Sequence, residues 1–121
     1  MNQINKKITI RDDYLQLIKN GKKTLEIRVA YNRIKEINIG EVVELCSEAD
    51  TVRVRIIGIR NYTSFDDLLS KEDPQKIIPG LSNTEVASIL REIYPPYKES
   101  LGVVAFHIKL LNEQQSSGRR S

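Results

Sequence analysis

The sequence predicts an α+β domain: a curved or closed sheet flanked by helices. Three observations carry this. Apolar residues alternate with period two near both ends of the chain, helical spacing dominates between them, and turn or capping residues stand at the junctions. Ile4 to Ile10 ends in "ITI" and reads as a first strand. Asp12 is placed to cap a helix in which Tyr14, Leu17 and Ile18 fall at i, i+3 and i+4, and Asn20-Gly21 stops it. Lys23 to Val29 follows as a second strand, with Leu25, Ile27 and Val29 on one face and Thr24, Glu26 and Arg28 on the other. "AYNRIKEINIG" is an irregular connection with room for a helical turn. "EVVELCS" and "TVRVRIIGIRNY" form a strand pair around the turn "EAD", and Gly58 marks a bulge or bend.

The next part reads as helical. "SFDD" is a Ser-x-x-Asp variant of the capping box, and "DPQKIIPGL" is a short helical turn broken at Pro79-Gly80. "SNTE" is a full capping box, Ser82 with Glu85. Val86, Ile89, Leu90 and Ile93 follow at i, i+3, i+4 and i+7, which predicts one inward face. Pro95-Pro96 ends that helix. "LGVVAFHIKLL" closes the fold as a long strand, with Val104, Phe106, Ile108 and Leu110 sharing a face. With neither repeat nor linker, residues 1–111 are expected to form one domain and "NEQQSSGRRS", 112–121, a disordered tail.

Composition narrows the function classes. At 121 residues, 40% apolar and 29% charged, the chain has the make-up of a soluble globular domain that builds a core without metal or disulfide. Cys46 is the only cysteine and reads as a small buried hydrophobe in a reducing compartment. No apolar run approaches the ~20 residues of a membrane helix and no signal-peptide core is present, so a cytoplasmic location without membrane attachment is expected. With one histidine, His107, and no cysteine pair, no metal site is expected. Without a P-loop or GxGxxG, no standard phosphate cradle or cofactor is expected either. Asp66, Asp67, Glu72 and Asp73 read as helix caps and solvated surface.

The chain carries a net charge of +3, and its distribution says more than the total. From Lys19 to Lys35, six basic residues (Lys19, Lys22, Lys23, Arg28, Arg33, Lys35) stand against Glu26 alone, a cluster able to attract phosphate or nucleic acid. The polar face of the second strand has two readings. Alternating polar residues are how any half-exposed strand looks. Alternatively, Glu26 and Arg28 supply an acceptor and donors to a base edge or ribose while Lys22 or Lys23 meets a phosphate.

"GKKTLEIR" fits the pattern G-x-K-x-x-E-x-R, with Gly21, Lys23, Glu26 and Arg28 in the four fixed positions. In this the chain resembles the ASCH family of small domains with a PUA-like β-barrel, and in particular its short stand-alone prokaryotic members. The similarity extends through "DYLQLIKNGKKTLEIRVAY", "NIGEVVEL", "YTSFDDLL" and "REIYPPYKESLGVVAFHIKLL". The resemblance implies a barrel of five to six strands with a cleft beside the motif that binds RNA or a nucleotide-like ligand. Lys23, Glu26 and Arg28 are its expected core. Lys22 and Arg33 are candidates for phosphate contacts, and Tyr31, Tyr94 and Tyr97 for base stacking.

The resemblance also offers an enzymatic alternative. Some bacterial members are amidohydrolases that deacetylate N4-acetylcytidine with a lysine, a threonine and a glutamate. Their lysine matches Lys23. Their threonine falls where this chain has Glu26, and their distal glutamate falls in "IIPG", which holds no carboxylate. A hydrolase here would have to work with Lys23 and Glu26, or Thr24. An RNA-cleaving activity and a protein-interaction adaptor are the remaining alternatives. Oligomeric state is not legible.

Overall fold

The computed structural model describes residues 6–111; the start of the first strand at Ile4 and Asn5 and the tail expected at 112–121 lie outside them. Five strands form one sheet: β1 (Lys6–Thr9), β2 (Leu25–Val29), β3 (Val42–Cys46), β4 (Thr51–Tyr62) and β5 (Val103–Leu110). Their order is β1-β3-β4-β5-β2, with β1 parallel to β3 and every other pairing antiparallel. The sheet curls into a half-barrel with β1 and β2 as its two edges. Five helices accompany it: α1 (Asp12–Lys19), α2 (Asn32–Lys35), α3 (Phe65–Leu69), α4 (Asn83–Ile93) and α5 (Pro96–Glu99). A 3₁₀ turn spans Pro74–Lys76.

Curling produces two cores. The inner one packs Ile8, Val43, Leu45, Val54, Val104 and Phe106 from the strands against Leu15 and Ile18 of α1 and Ile34 of α2. The outer one packs Leu25, Ile27, Val29, Val103 and Ala105 beneath Phe65 and Leu68 of α3 and Val86 and Leu90 of α4. β2 and β5 are therefore covered on both faces, and each fully buried aliphatic side chain contributes about 1.5–3 kcal/mol. Glu26 pairs across from Phe106 and Arg28 from Val104. Opposed residues of an antiparallel pair point the same way, so both charges face the inner side of the half-barrel.

Local signals held at several junctions. Gly21 stands at φ 82° after α1, a conformation that favours glycine. The bulge falls between Ile56 and Gly58, where an added Cβ would come within 3.2 Å of His107 Cβ. Ser64 accepts from the Asp67 backbone N–H, and both hydrogen bonds of the Ser82–Glu85 capping box are present.

Three expectations need correction. Arg11, not Asp12, is the N-cap of α1, and the Asp12 carboxylate instead accepts from Ser47 Oγ at 2.6 Å. β2 begins at Leu25 rather than Lys23: Thr24 still offers its carbonyl to Ile108 N of β5, but its N–H turns to Lys76 O. Glu72 is buried rather than solvated; Arg60 and Tyr62 of β4 both hold its carboxylate, each at 2.5 Å. The end of α4 at Ile93 falls just before Pro95-Pro96 as expected, and Pro96 also starts α5, its missing N–H harmless in a first turn.

Candidate functional site

The site grows from the shift in where β2 starts. With the strand beginning at Leu25, Lys23 lies in the preceding turn and escapes the two-residue alternation, so its side chain reaches the side where Glu26 sits. Lys23 is 4% exposed and Glu26 7%, a depth at which an unpaired charge would be strongly disfavoured. Lys23 Nζ donates to Glu26 Oε1 at 3.2 Å, Leu25 O at 2.6 Å and Ile77 O at 3.0 Å. Arg28 approaches Glu26 Oε2 through Nε at 2.7 Å and Nη2 at 2.6 Å. The same Nη2 donates to Thr9 O of β1 at 2.9 Å, so one guanidinium spans the gap between the two edges of the sheet.

That gap is the mouth of a cavity of about 200 Å³. Glu26 and Arg28 lie in its wall with Lys23. Thr9, Ile10, Arg11 and Tyr14 line the side toward β1 and α1, Ile77 and Ile78 come from the loop after the 3₁₀ turn, and Ile89, Leu90, Ile93 and Tyr94 come from α4 and its C-terminus. The cleft is thus a charged trio with largely apolar surroundings. It falls below the ~300–1,000 Å³ typical of drug-sized pockets and suits a single flat ring.

The charges set one another's protonation. Desolvation acts to raise the Glu26 pKa, but Lys23 and Arg28 outweigh it and hold the carboxyl below its ordinary range. Burial pulls the Lys23 amine below its ordinary value while Glu26 opposes the shift. Three oxygens around Nζ need three N–H donors, which the ammonium has and the neutral amine lacks. Burial likewise acts against the Arg28 cation, but Glu26 and Tyr94 more than offset it. Among the described residues no group of three or more His, Cys, Asp or Glu side chains is arranged to hold a metal.

The sequence candidates divide. Lys23, Glu26, Arg28 and Tyr94 come together at the cleft. Thr24 does not share the face of Glu26 and Arg28, as alternation had predicted; it lines a separate hollow with Ile57, His107 and Lys109. Lys22 is exposed outside the cleft. Arg33 lines another hollow with Lys6 and Lys7, its Nη2 3.4 Å from Lys7 O. Tyr31 packs against both cores, and Tyr97 stands 71% exposed on α5. The run of cations is therefore no single patch: Lys23 and Arg28 turn inward, and Lys19 pairs with Asp50 at 2.6 Å.

Sequence reasoning missed the rest of the wall. Tyr14, spaced with Leu17 and Ile18 on α1, packs against the inner core and also borders the cleft, 5.7 Å from Lys23 Nζ and beneath Arg11 at 4.7 Å. Ile89 and Ile93 were read with Val86 and Leu90 as one inward face. Only the latter two are buried; Ile89 and Ile93 turn toward the cleft, Ile93 45% exposed. The amphipathic pattern was the available signal, and it cannot separate a core wall from a cleft wall.

A curled five-stranded half-barrel, closed at its open edge by an arginine and holding a buried Lys–Glu–Arg trio beneath α4, defines an α+β domain of PUA-like fold with an interior cleft. The family model described as "ASCH domain" matches residues 8–112, and the chain belongs to that family. Among solved structures, the hypothetical protein PH0355 is 31% identical, with 89% of this chain and 100% of that chain covered and a TM-score of 0.81. PF0455 from Pyrococcus furiosus is 33% identical, covering 89% and 98%, at TM-score 0.73. The ASCH protein from Zymomonas mobilis shares the fold at 15% identity and TM-score 0.61, covering 95% of this chain and 81% of its own. No curated protein matches the chain.

Proposed function

We propose that the domain binds RNA or a nucleotide-like ligand in the cleft beside the G-x-K-x-x-E-x-R segment. The observation that carries this reading is the trio of Lys23, Glu26 and Arg28 bordering a ring-sized, mostly apolar cavity. Apolar walls that hold a flat ring, with a few placed polar groups that orient it, are what base recognition outside a duplex needs. Tyr14 of α1 and Tyr94 at the end of α4 supply aromatic surface to the cleft. Outside the cleft, Lys22 and Arg33 stay candidates for phosphate contacts whose contribution fades with salt.

The test is a titration of short single-stranded RNA at two salt concentrations, with wild type and with Ile89→Trp, which fills the cleft and leaves every charge in place. The reading expects at least about a tenfold loss of affinity in the variant, some 1.4 kcal/mol. Equal binding by the two proteins would refute the cleft as the site.

A deacetylase of N4-acetylcytidine is the second reading, favoured by one observation: a buried amine with a lowered pKa at the cleft. The geometry around it favours binding over turnover. Every N–H of Lys23 is already bound, so the lysine has no lone pair to act as a base. Thr24, the hydroxyl next to it in sequence, opens to a different hollow. Incubation with N4-acetylcytidine, following cytidine release with Lys23→Ala as control, separates the two readings.

A further inference from the structure

We propose that the cleft floor is an acceptor site for an N–H donor on an uncharged heterocycle, so that a base enters edge-first and its phosphate stays outside. This deepens the ligand-binding reading above and rests on it. The Lys23 ammonium has three N–H groups, and Glu26 Oε1, Leu25 O and Ile77 O take all three. Arg28 spends Nε and Nη2 on Glu26 Oε2 and Thr9 O, which leaves it the two N–H groups of Nη1 beside Tyr94.

The carboxylate is not so fully used. Each of its oxygens accepts about two hydrogen bonds. Oε2 has both from Arg28, whereas Oε1 has one, from Lys23. A ligand reaching the floor therefore meets an ionised acceptor with a vacant lone pair, and no lysine proton is left to receive an anion. Among the described residues Glu26 is the one carboxylate lining this cleft, and Ile10, Ile78, Ile89 and Ile93 around it keep the local dielectric low. In such surroundings an N–H···O⁻ bond is strong, and a phosphate set against a carboxylate is strongly disfavoured. Lys23, and Arg28 through Nε and Nη2, thus act to keep Glu26 ionised and oriented, while Arg11, the third cation lining the cleft, is paired with Asp13.

The test uses single-stranded tetranucleotides of cytidine, adenosine and uridine, titrated calorimetrically against the purified protein. Each is compared with a version lacking the edge N–H: N4,N4-dimethylcytidine, N6,N6-dimethyladenosine or 3-methyluridine. Monomethylated cytidine and adenosine tetramers, which keep one N–H beside similar bulk, control for size. The proposal expects the best-bound tetramer to lose at least about tenfold in affinity when the donor is removed. It expects a loss of no more than about threefold on monomethylation, and no competition from inorganic phosphate at constant ionic strength. Equal binding of donor-free tetramers, or competition by phosphate, overturns the acceptor site while leaving RNA binding in the cleft intact. Failure of every tetramer to bind overturns both.

Discussion

Replacing Glu26 by glutamine removes the one negative charge between Lys23 and Arg28 and leaves two cations facing each other in a buried space. Breaking a buried pair in this way costs about 3–5 kcal/mol. Glu26→Gln is therefore expected to lower the urea midpoint sharply, to be read by circular dichroism; an unchanged midpoint would mean that the trio is solvated. Protonation should act in the same direction. A carboxyl held below its ordinary range contributes stability that is present above its unfolded pKa and is lost as pH falls through the folded value. Alternation told which side of β2 Glu26 occupies, but not that this side is an interior. That depends on the sheet curling toward β1, a contact between residues far apart in sequence. Lys23 was harder still, since its place beside Glu26 depends on the chain leaving the ladder at Thr24, whose N–H turns to Lys76 O.

Among the elements, the segment from Lys71 to Ile78 is tied down at two ends. Glu72 is gripped by Arg60 and Tyr62 of β4, and Ile77 offers its carbonyl to Lys23. Arg60 also makes a close contact with His107 of β5. The grip lowers the Glu72 pKa to about 2, chiefly through the Arg60 hydrogen bonds. Its stabilisation is complete above the ordinary carboxylate value and fades as pH drops toward 2; with Arg60 half exposed, about 1–2 kcal/mol is at stake. Glu72→Gln should flatten the acid limb of the stability curve over that window and speed amide exchange across 71–78, measured by hydrogen–deuterium exchange. In α4, Ser82→Ala removes a capping-box bond and should cost about 1 kcal/mol in chemical denaturation. That cap was legible because it is local. The clamp on Glu72 was not, because its partners arrive from a strand that sequence spacing does not bring near.

At the scale of the molecule, the described residues build a half-barrel that does not close with backbone hydrogen bonds. β1 and β2 stay unpaired with each other, and Arg28 links them through a side chain. An opening that a continuous ladder would have sealed is left between them, and the apolar side chains of α4 border it. Arg28→Lys keeps the charge but loses the fork that reaches Glu26 and Thr9 together. It is expected to weaken RNA binding more than it lowers stability, a comparison made by parallel titration and thermal melting. The α+β class and most of the elements were legible from periodicity and caps. The open edge was not, since nothing in a strand's own residues says whether it will find a neighbour.

The most direct test of the cleft as the ligand site is to follow backbone amide shifts by NMR while a short single-stranded RNA is added. Binding in the cleft predicts the largest changes at Thr9, Tyr14, Ile27, Ile78 and Ile93, which surround the Lys23–Glu26–Arg28 trio on five different segments. Changes concentrated instead at Lys6, Lys7 and Arg33, around the basic hollow beside α2, would place the RNA outside the cleft and contradict the account.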